Sequence, residues 1–167
     1  MVLFPLEQFT SSVGVDIYRK KITPGKYKTE PNHVLTLEGQ THYYCEPLRV
    51  PEEMERLLEM INTAGYHPVE LSARVHHRLV AIHPFDDGNG RVSRLLMNLI
   101  LLKNGYLPVI IRQEKREDYY RALMKADKGD MRDFIQLIAQ EEKRSLQTVI
   151  GVLKGQGAGG LEPEDSI

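Results

Sequence analysis

Apolar positions recur along this chain at two different periods. Met54, Leu57, Leu58 and Ile61 fall at i, i+3, i+4 and i+7, one face of an amphipathic helix that begins after Pro51 and ends at Gly65. Val75, Leu79 and Ile82 form one stripe of a second helix over Val69 to Ile82. His83-Pro84 stops it, because the residue before a proline is steered away from the α region. Arg91 to Lys103 carries Leu95, Leu96, Met97, Leu99, Ile100, Leu101 and Leu102 almost without interruption. So uniform a helix is expected to be buried on every side at the centre of the domain, with Asn104-Gly105 capping its end. Glu114 to Asp127 reads as a fourth helix, followed by a turn at Lys128-Gly129-Asp130. Met131 to about Leu153 is the last, on a stripe of Phe134, Leu137 and Ile138 and then Leu146, Val149, Ile150 and Leu153.

Ahead of these, Leu6 to Ile22 predicts a short helix, broken at Thr23-Pro24-Gly25. Strand-forming residues then take over. Val34, Leu35, Leu37, Tyr43 and Tyr44 flank the turn signal Glu38-Gly39-Gln40, the pattern of a β-hairpin. Pro31 and Pro47 bracket it, as suits edge strands. From Gly155 to Ile167 the chain is Gly-rich and acidic without periodicity and is expected to be a flexible tail. The expected fold class is all-α, a helical bundle with one β-hairpin arm.

A chain of 167 residues fits one domain with a core of its own. Its 22 basic and 23 acidic residues nearly cancel, so nothing global attracts nucleic acid or an anionic membrane, and any anion site must be local. The single Cys45 excludes an intrachain disulfide and a four-cysteine zinc cage. Neither a signal peptide nor an apolar run of roughly 20 residues is visible, so the expected location is the cytoplasm.

The chemistry concentrates in His83-Pro84-Phe85-Asp86-Asp87-Gly88-Asn89-Gly90-Arg91-Val92-Ser93-Arg94. A helix starting near Gly90 offers N–H groups with no internal partners, at the positive end of its dipole. Two glycines around Asn89 let the backbone turn tightly and approach a ligand. Together they form a nest for phosphate. Arg91 and Arg94 share one face of the first turn, where guanidinium forks can clamp phosphate oxygens. Asp87 at the mouth would repel phosphate unless Mg²⁺ lay between them. His83 on the other shoulder has the ordinary pKa of a general base, about 6.5. Singly, these features are commonplace: a His-Pro stop, a solvated arginine face. Gathered in one loop, they point to phosphoryl or nucleotidyl transfer. A calcium loop is rejected, because Gly90, Arg91 and Arg94 stand where acidic ligands would continue. A P-loop is absent, since the only Gly-Lys pair, Gly25-Lys26, is followed by Tyr27. His76 and His77 point to different helix faces and make no His-Glu-x-x-His metal motif.

The segment resembles the signature of the Fic family, His-x-Phe-x-Asp-Gly-Asn-Gly-Arg-x-x-Arg, at every defined position. The likeness runs from about Pro24 to Leu153 and is most similar to the subgroup containing the animal endoplasmic-reticulum Fic enzyme. It implies a Fic-type helical bundle over residues 24–153, preceded by a helix in 1–23 and followed by a tail over 154–167. The hairpin over 26–44 corresponds to the family's flap, and the catalytic loop to 83–94. The implied activity is transfer of AMP from ATP to a Ser, Thr or Tyr hydroxyl of a target protein, with ATP and Mg²⁺ required. His83 would take the proton from that hydroxyl, whose oxygen attacks the α-phosphorus. Phe85 would anchor the loop in the core, and Asp87 would hold Mg²⁺. Gly88, Asn89 and Gly90 would bind phosphate oxygens, Asn89 through its side-chain amide. Arg91 and Arg94 would hold the β- and γ-phosphates.

Tyr119 and Tyr120 are candidates to line the adenosine pocket. Asp127 stands where close relatives often carry Asn. Val34, Leu35 and Thr36 of the flap would dock an extended target segment as an added strand. The implied partners are that protein substrate, the chain itself through self-modification, and a second copy in a homodimer, with no nucleic acid or membrane. Gly90 argues against the relatives that transfer phosphate, which carry Lys there; UMP and phosphocholine transfer and AMP removal remain as alternatives. A docking adaptor has no need of His83 and Asp87 together. The family's inhibitory pattern Ser/Thr-x-x-x-Glu-Gly/Asn has no match in this chain. Self-modification with Mg²⁺-ATP is therefore expected, and AMP removal would need a glutamate from outside it.

Overall fold

A computed structural model describes residues 23–35 and 41–155. The elements in chain order are β1 (His33–Leu35), β2 (Thr41–Tyr43), α1 (Val50–Thr63), α2 (Pro68–Ile82), α3 (Asn89–Lys103), α4 (Arg116–Asp127) and α5 (Arg132–Leu153). The predicted helix over 6–22, the flap turn at 38–40 with Thr36, and the tail beyond Gly155 lie outside the described residues. The class is as expected, a mostly helical bundle with a two-stranded antiparallel ribbon. In that ribbon His33 faces Tyr43, Val34 faces His42 and Leu35 faces Thr41.

Helix boundaries follow their end chemistry. Pro51 sits in the first turn of α1, beside Glu52 and Glu53, which favour the positive end of the dipole. Glu53 is 5% exposed and gathers the guanidiniums of Arg49, Arg56 and Arg78, the last of which ties α1 to α2. The His67 ring caps α2, its Nδ1 accepting from the Val69 amide at 3.3 Å, and Pro68 fills the first helical position. At the end of α3, Gly105 takes φ 80°, and the amides of Gly105 and Tyr106 return to Leu102 and Leu101, a glycine-closed C-terminus.

Two apolar clusters meet on α2 and α3. One joins Ala73, Met97, Leu101, Ala122, Phe134 and Ile138. The other joins Val50, Leu57, Val75, Leu79, Ile82 and Ile100. Each fully buried Leu, Ile, Phe or Met among them contributes about 1.5–3 kcal/mol, which fixes the pair of helices that carries the loop over 83–88.

Three burial expectations are corrected. Helix α3 is not covered all round: Ser93, Met97, Ile100 and Leu101 face α2 and the core, while Leu95, Leu99 and Leu102 are 71%, 52% and 55% exposed. Unbroken apolarity says only that a helix could be covered on any side, and this one begins earlier than expected, at Asn89. Leu58 of α1 is 54% exposed, although its neighbour Leu57 is buried. The second half of the α5 stripe, Leu146, Val149, Ile150 and Leu153, is likewise exposed, because the buried contacts of α5 end near Glu142. A short 3-10 turn, Gln113–Lys115, also precedes α4, where the sequence suggested a helix from Glu114.

Candidate active site

The loop between α2 and α3 is held from three directions. Pro84 is fully buried and fixes it to the core. Asn89 is 2% exposed and bridges the loop onto itself: the Phe85 amide donates to its Oδ1 at 2.9 Å, and its Nδ2 donates to the Phe85 carbonyl at 2.8 Å. The third hold comes from the flap stem, where the Lys28 amide donates to the Pro84 carbonyl at 2.8 Å. Two expectations change accordingly. The Asn89 amide, expected to bind phosphate oxygens, also braces the loop through Phe85. Phe85 is half-buried, its ring 6.0 Å from that of Tyr27 at the flap stem, outside both core clusters.

His83 closes α2 in the left-handed region, φ 50° and ψ 58°. A non-glycine residue held there is strained, and such strain gathers at functional positions. Its Nδ1 lies 3.3 Å from the Val80 carbonyl, which can only accept. Nδ1 therefore carries the proton, and Nε2 keeps its lone pair. Burial, helped by Lys28 and His42, lowers the pKa of the ring to about 4 against the opposing pulls of the Val80 carbonyl and Asp87. The Tyr44 ring stacks on the imidazole at 3.7 Å between centroids.

Beyond the loop, α3 opens without a side-chain cap, and Gly88 at its N-cap takes φ 82°. The first amides of α3 are thus available to an anion. A Cβ on Gly88 would approach the Arg91 guanidinium at 3.6 Å, so glycine is needed there chiefly for its φ. Gly90 lies in the first turn of the helix. Asp87 and Arg91, 63% and 64% exposed, pair at 3.0 Å across the lip. Arg94 lies against the Tyr119 hydroxyl. Among the described residues no cluster of three or more His, Cys, Asp or Glu could cage a metal. A single accessible carboxylate beside an open amide nest does fit Mg²⁺, which takes one or two carboxylates and completes its shell with phosphate and water oxygens.

On the flap side of His83 lies a cavity of about 450 Å³, bounded by Val34, His42 and Tyr44 of the flap, Val80 and Ala81 of α2, and Arg116, Tyr120, Met124 and Asp127 of α4. The two tyrosines of α4 part company. Tyr120 lines the cavity, with the Arg116 guanidinium 5.7 Å from its ring centroid. Tyr119 does not line it: it is 7% exposed, packs on Phe134, and bonds His76 Nε2 through its hydroxyl at 2.9 Å. One residue step is about 100° of helix, which turns Tyr119 inward. His76 is wholly buried, its pKa lowered to about 4 by desolvation, while His77 pairs with Asp127 at 2.9 Å. Of the flap residues, Val34 is 46% exposed on the cavity rim, and Leu35 ends β1. The sequence reading missed Tyr44, Lys28 and Asn32, whose roles depend on the flap folding back over α2; no local pattern marks them.

The profile of the Fic/DOC family matches residues 9–101. The chain belongs to the Fic/DOC family. Its relatives include proteins named protein adenylyltransferase fic-1 in Caenorhabditis elegans, 38% identical over 130 residues, and protein adenylyltransferase Fic in Drosophila ananassae, 46% identical over 95 residues. These matches take up 72% and 57% of this chain but 26% and 19% of those proteins, so the chain spans about a quarter or less of their length. Among solved structures, a Fic-domain signaling protein from Bacteroides thetaiotaomicron superposes with a TM-score of 0.77 at 33% identity, over 86% of this chain and 59% of that one. Fic-1 from C. elegans superposes with a TM-score of 0.66 at 34% identity, over 80% and 38%.

Proposed function

We propose that this Fic domain is a protein adenylyltransferase, moving AMP from ATP to a hydroxyl of a target protein. The observation that carries the reading is the juxtaposition around His83. An imidazole whose Nε2 keeps its lone pair stands between an uncapped helix N-terminus and a cavity faced by an aromatic ring. Triphosphate at the α3 amides, near Arg91 and Arg94, puts the nucleoside toward Tyr120 and the α-phosphorus beside His83. The His83 Nε2 takes the proton of the target hydroxyl. The oxygen then bonds to the α-phosphorus as the bond to the bridging oxygen breaks, and pyrophosphate leaves. Asp87 would hold Mg²⁺, which supplies charge neutralisation on the phosphates. With a pKa of about 4, His83 is deprotonated at neutral pH but a weaker base than free imidazole. Bound triphosphate brings negative charge close to it and raises its proton affinity toward the useful range.

The flap completes the site. A two-stranded ribbon leaves an outer edge on each strand, and an extended target segment laid along one would be carried past His83 by backbone hydrogen bonds. The experiment is to incubate the chain, alone and with cell lysate, with each nucleoside triphosphate labelled at the α-phosphate. ATP is expected to label protein, dependent on Mg²⁺ and on Asp87. Labelling by UTP in preference to ATP, or labelling that survives EDTA, contradicts the reading.

A further inference from the structure

The most deeply buried lysine among the described residues lies between the flap and the catalytic loop. Lys28 is 2% exposed, and a buried ammonium is costly unless partnered. Its Nζ donates to Asn32 Oδ1 at 2.6 Å and to the Ile82 carbonyl at 3.4 Å, at the negative end of the α2 dipole. Its own amide holds the Pro84 carbonyl. Asn32 continues the chain of contacts, with its Nδ2 3.4 Å from the Phe85 carbonyl and its backbone carbonyl accepting from the Tyr44 amide at 3.4 Å. One residue therefore reaches both carbonyls that flank His83, and through Asn32 reaches the strand bearing Tyr44, whose ring covers the imidazole. Packing alone would be met by a methionine.

We propose that Lys28 is a positioning residue that locks the flap to the catalytic loop, so that the strand edge which docks the target and the base which activates it move as one body. This rests on the reading of His83 and the flap given above. A target segment pulling on β1 or β2 is then registered at His83 through Lys28 and Asn32, and strain at the His83 backbone is held by the same bonds. The groups facing the His83 ring are Lys28, His42 and Tyr44 from the flap side and Asp87 from the loop. Burial is the chief cause of the low pKa of that ring, and loss of the ammonium removes a smaller contribution to it.

The test needs neither nucleotide nor target. Amide hydrogen exchange over 41–45 and the NMR titration of His83 are measured on the full chain, on Lys28→Met, on Lys28→Arg and on Asn32→Ala. Lys28→Met is expected to speed exchange over 41–45 by about tenfold, as befits one lost charge-assisted hydrogen bond. Its His83 midpoint should rise above about 4, while burial of the ring still holds it below the ordinary value. Lys28→Arg, which keeps the charge and the donors, should restore most of both. If Lys28→Met does not fold, Asn32→Ala, which removes the acceptor 2.6 Å from the ammonium, should loosen the same amides. Unchanged exchange over 41–45 together with an unchanged His83 midpoint, in whichever variant folds, overturns the inference. Loss of transfer in His83→Ala alongside that result would leave the base assignment standing, so the two ideas fail separately.

Discussion

Alanine at position 89 separates two roles for Asn89. In the structure both ends of its amide are spent on Phe85, and the side chain is 2% exposed. Truncation leaves the part-buried Phe85 amide without its acceptor and takes one donor from the Phe85 carbonyl. An unmet buried donor costs about 1–3 kcal/mol, and the second bond adds about 1 kcal/mol. A loss of about 3 kcal/mol lowers Tm by roughly 6–12 °C for a chain of this size. Thermal unfolding followed by circular dichroism reads that shift, and ATP titration calorimetry on the same samples reads affinity. Stability should fall first, with ATP binding weakened because the nest is no longer held in shape. Unchanged Tm with a clear loss of ATP affinity would refute the brace and return the amide to phosphate binding.

Acid should weaken the fold through His76. Its folded pKa of about 4 lies below the ordinary 6.5, so the unfolded chain takes up the proton first. The stability this represents is whole above pH 6.5 and is lost as pH falls from 6.5 to 4, about 3 kcal/mol in all. Urea unfolding at pH 7 and pH 4.5 checks it, and His76→Phe should show a shallower decline than the unmutated chain; equal declines count against the assignment. Tyr120→Ala should weaken ATP binding by about tenfold, the value of one base–aromatic stack, with little change in Tm. Tyr119→Ala should do the reverse, since its ring fills the core beside Phe134.

Apolar patterning located α1, α2, α3 and α5 because each buries at least one face, and a buried face writes a 3.6-residue repeat; α4 was marked by its closing turn at Lys128-Gly129-Asp130. Patterning failed where apolar residues outnumber the faces available, as at Leu95, Leu99 and Leu102 of α3 and along the end of α5. The catalytic loop was legible for a different reason: its chemistry is contiguous, so the residues that act together are adjacent in the chain. What the loop does with each side chain was less legible. Asn89 reads as a phosphate ligand until its partners are seen, and Tyr119 and Tyr120 are indistinguishable until the register of α4 is fixed. Lys28, Asn32 and Tyr44 stood no chance, because they reach His83 only through contacts about 40 to 55 residues away in sequence.

The central claim is that His83 moves the proton and does not hold the nucleotide. Its most direct test compares the unmutated chain with His83→Ala, measuring protein labelling from ATP carrying a labelled α-phosphate and, separately, ATP affinity by calorimetry. Transfer should fall by about 10²- to 10⁴-fold, the usual worth of a positioned base, while ATP affinity changes by no more than a few-fold. Equal loss of binding and transfer in a folded protein, or labelling undiminished without the imidazole, contradicts the account.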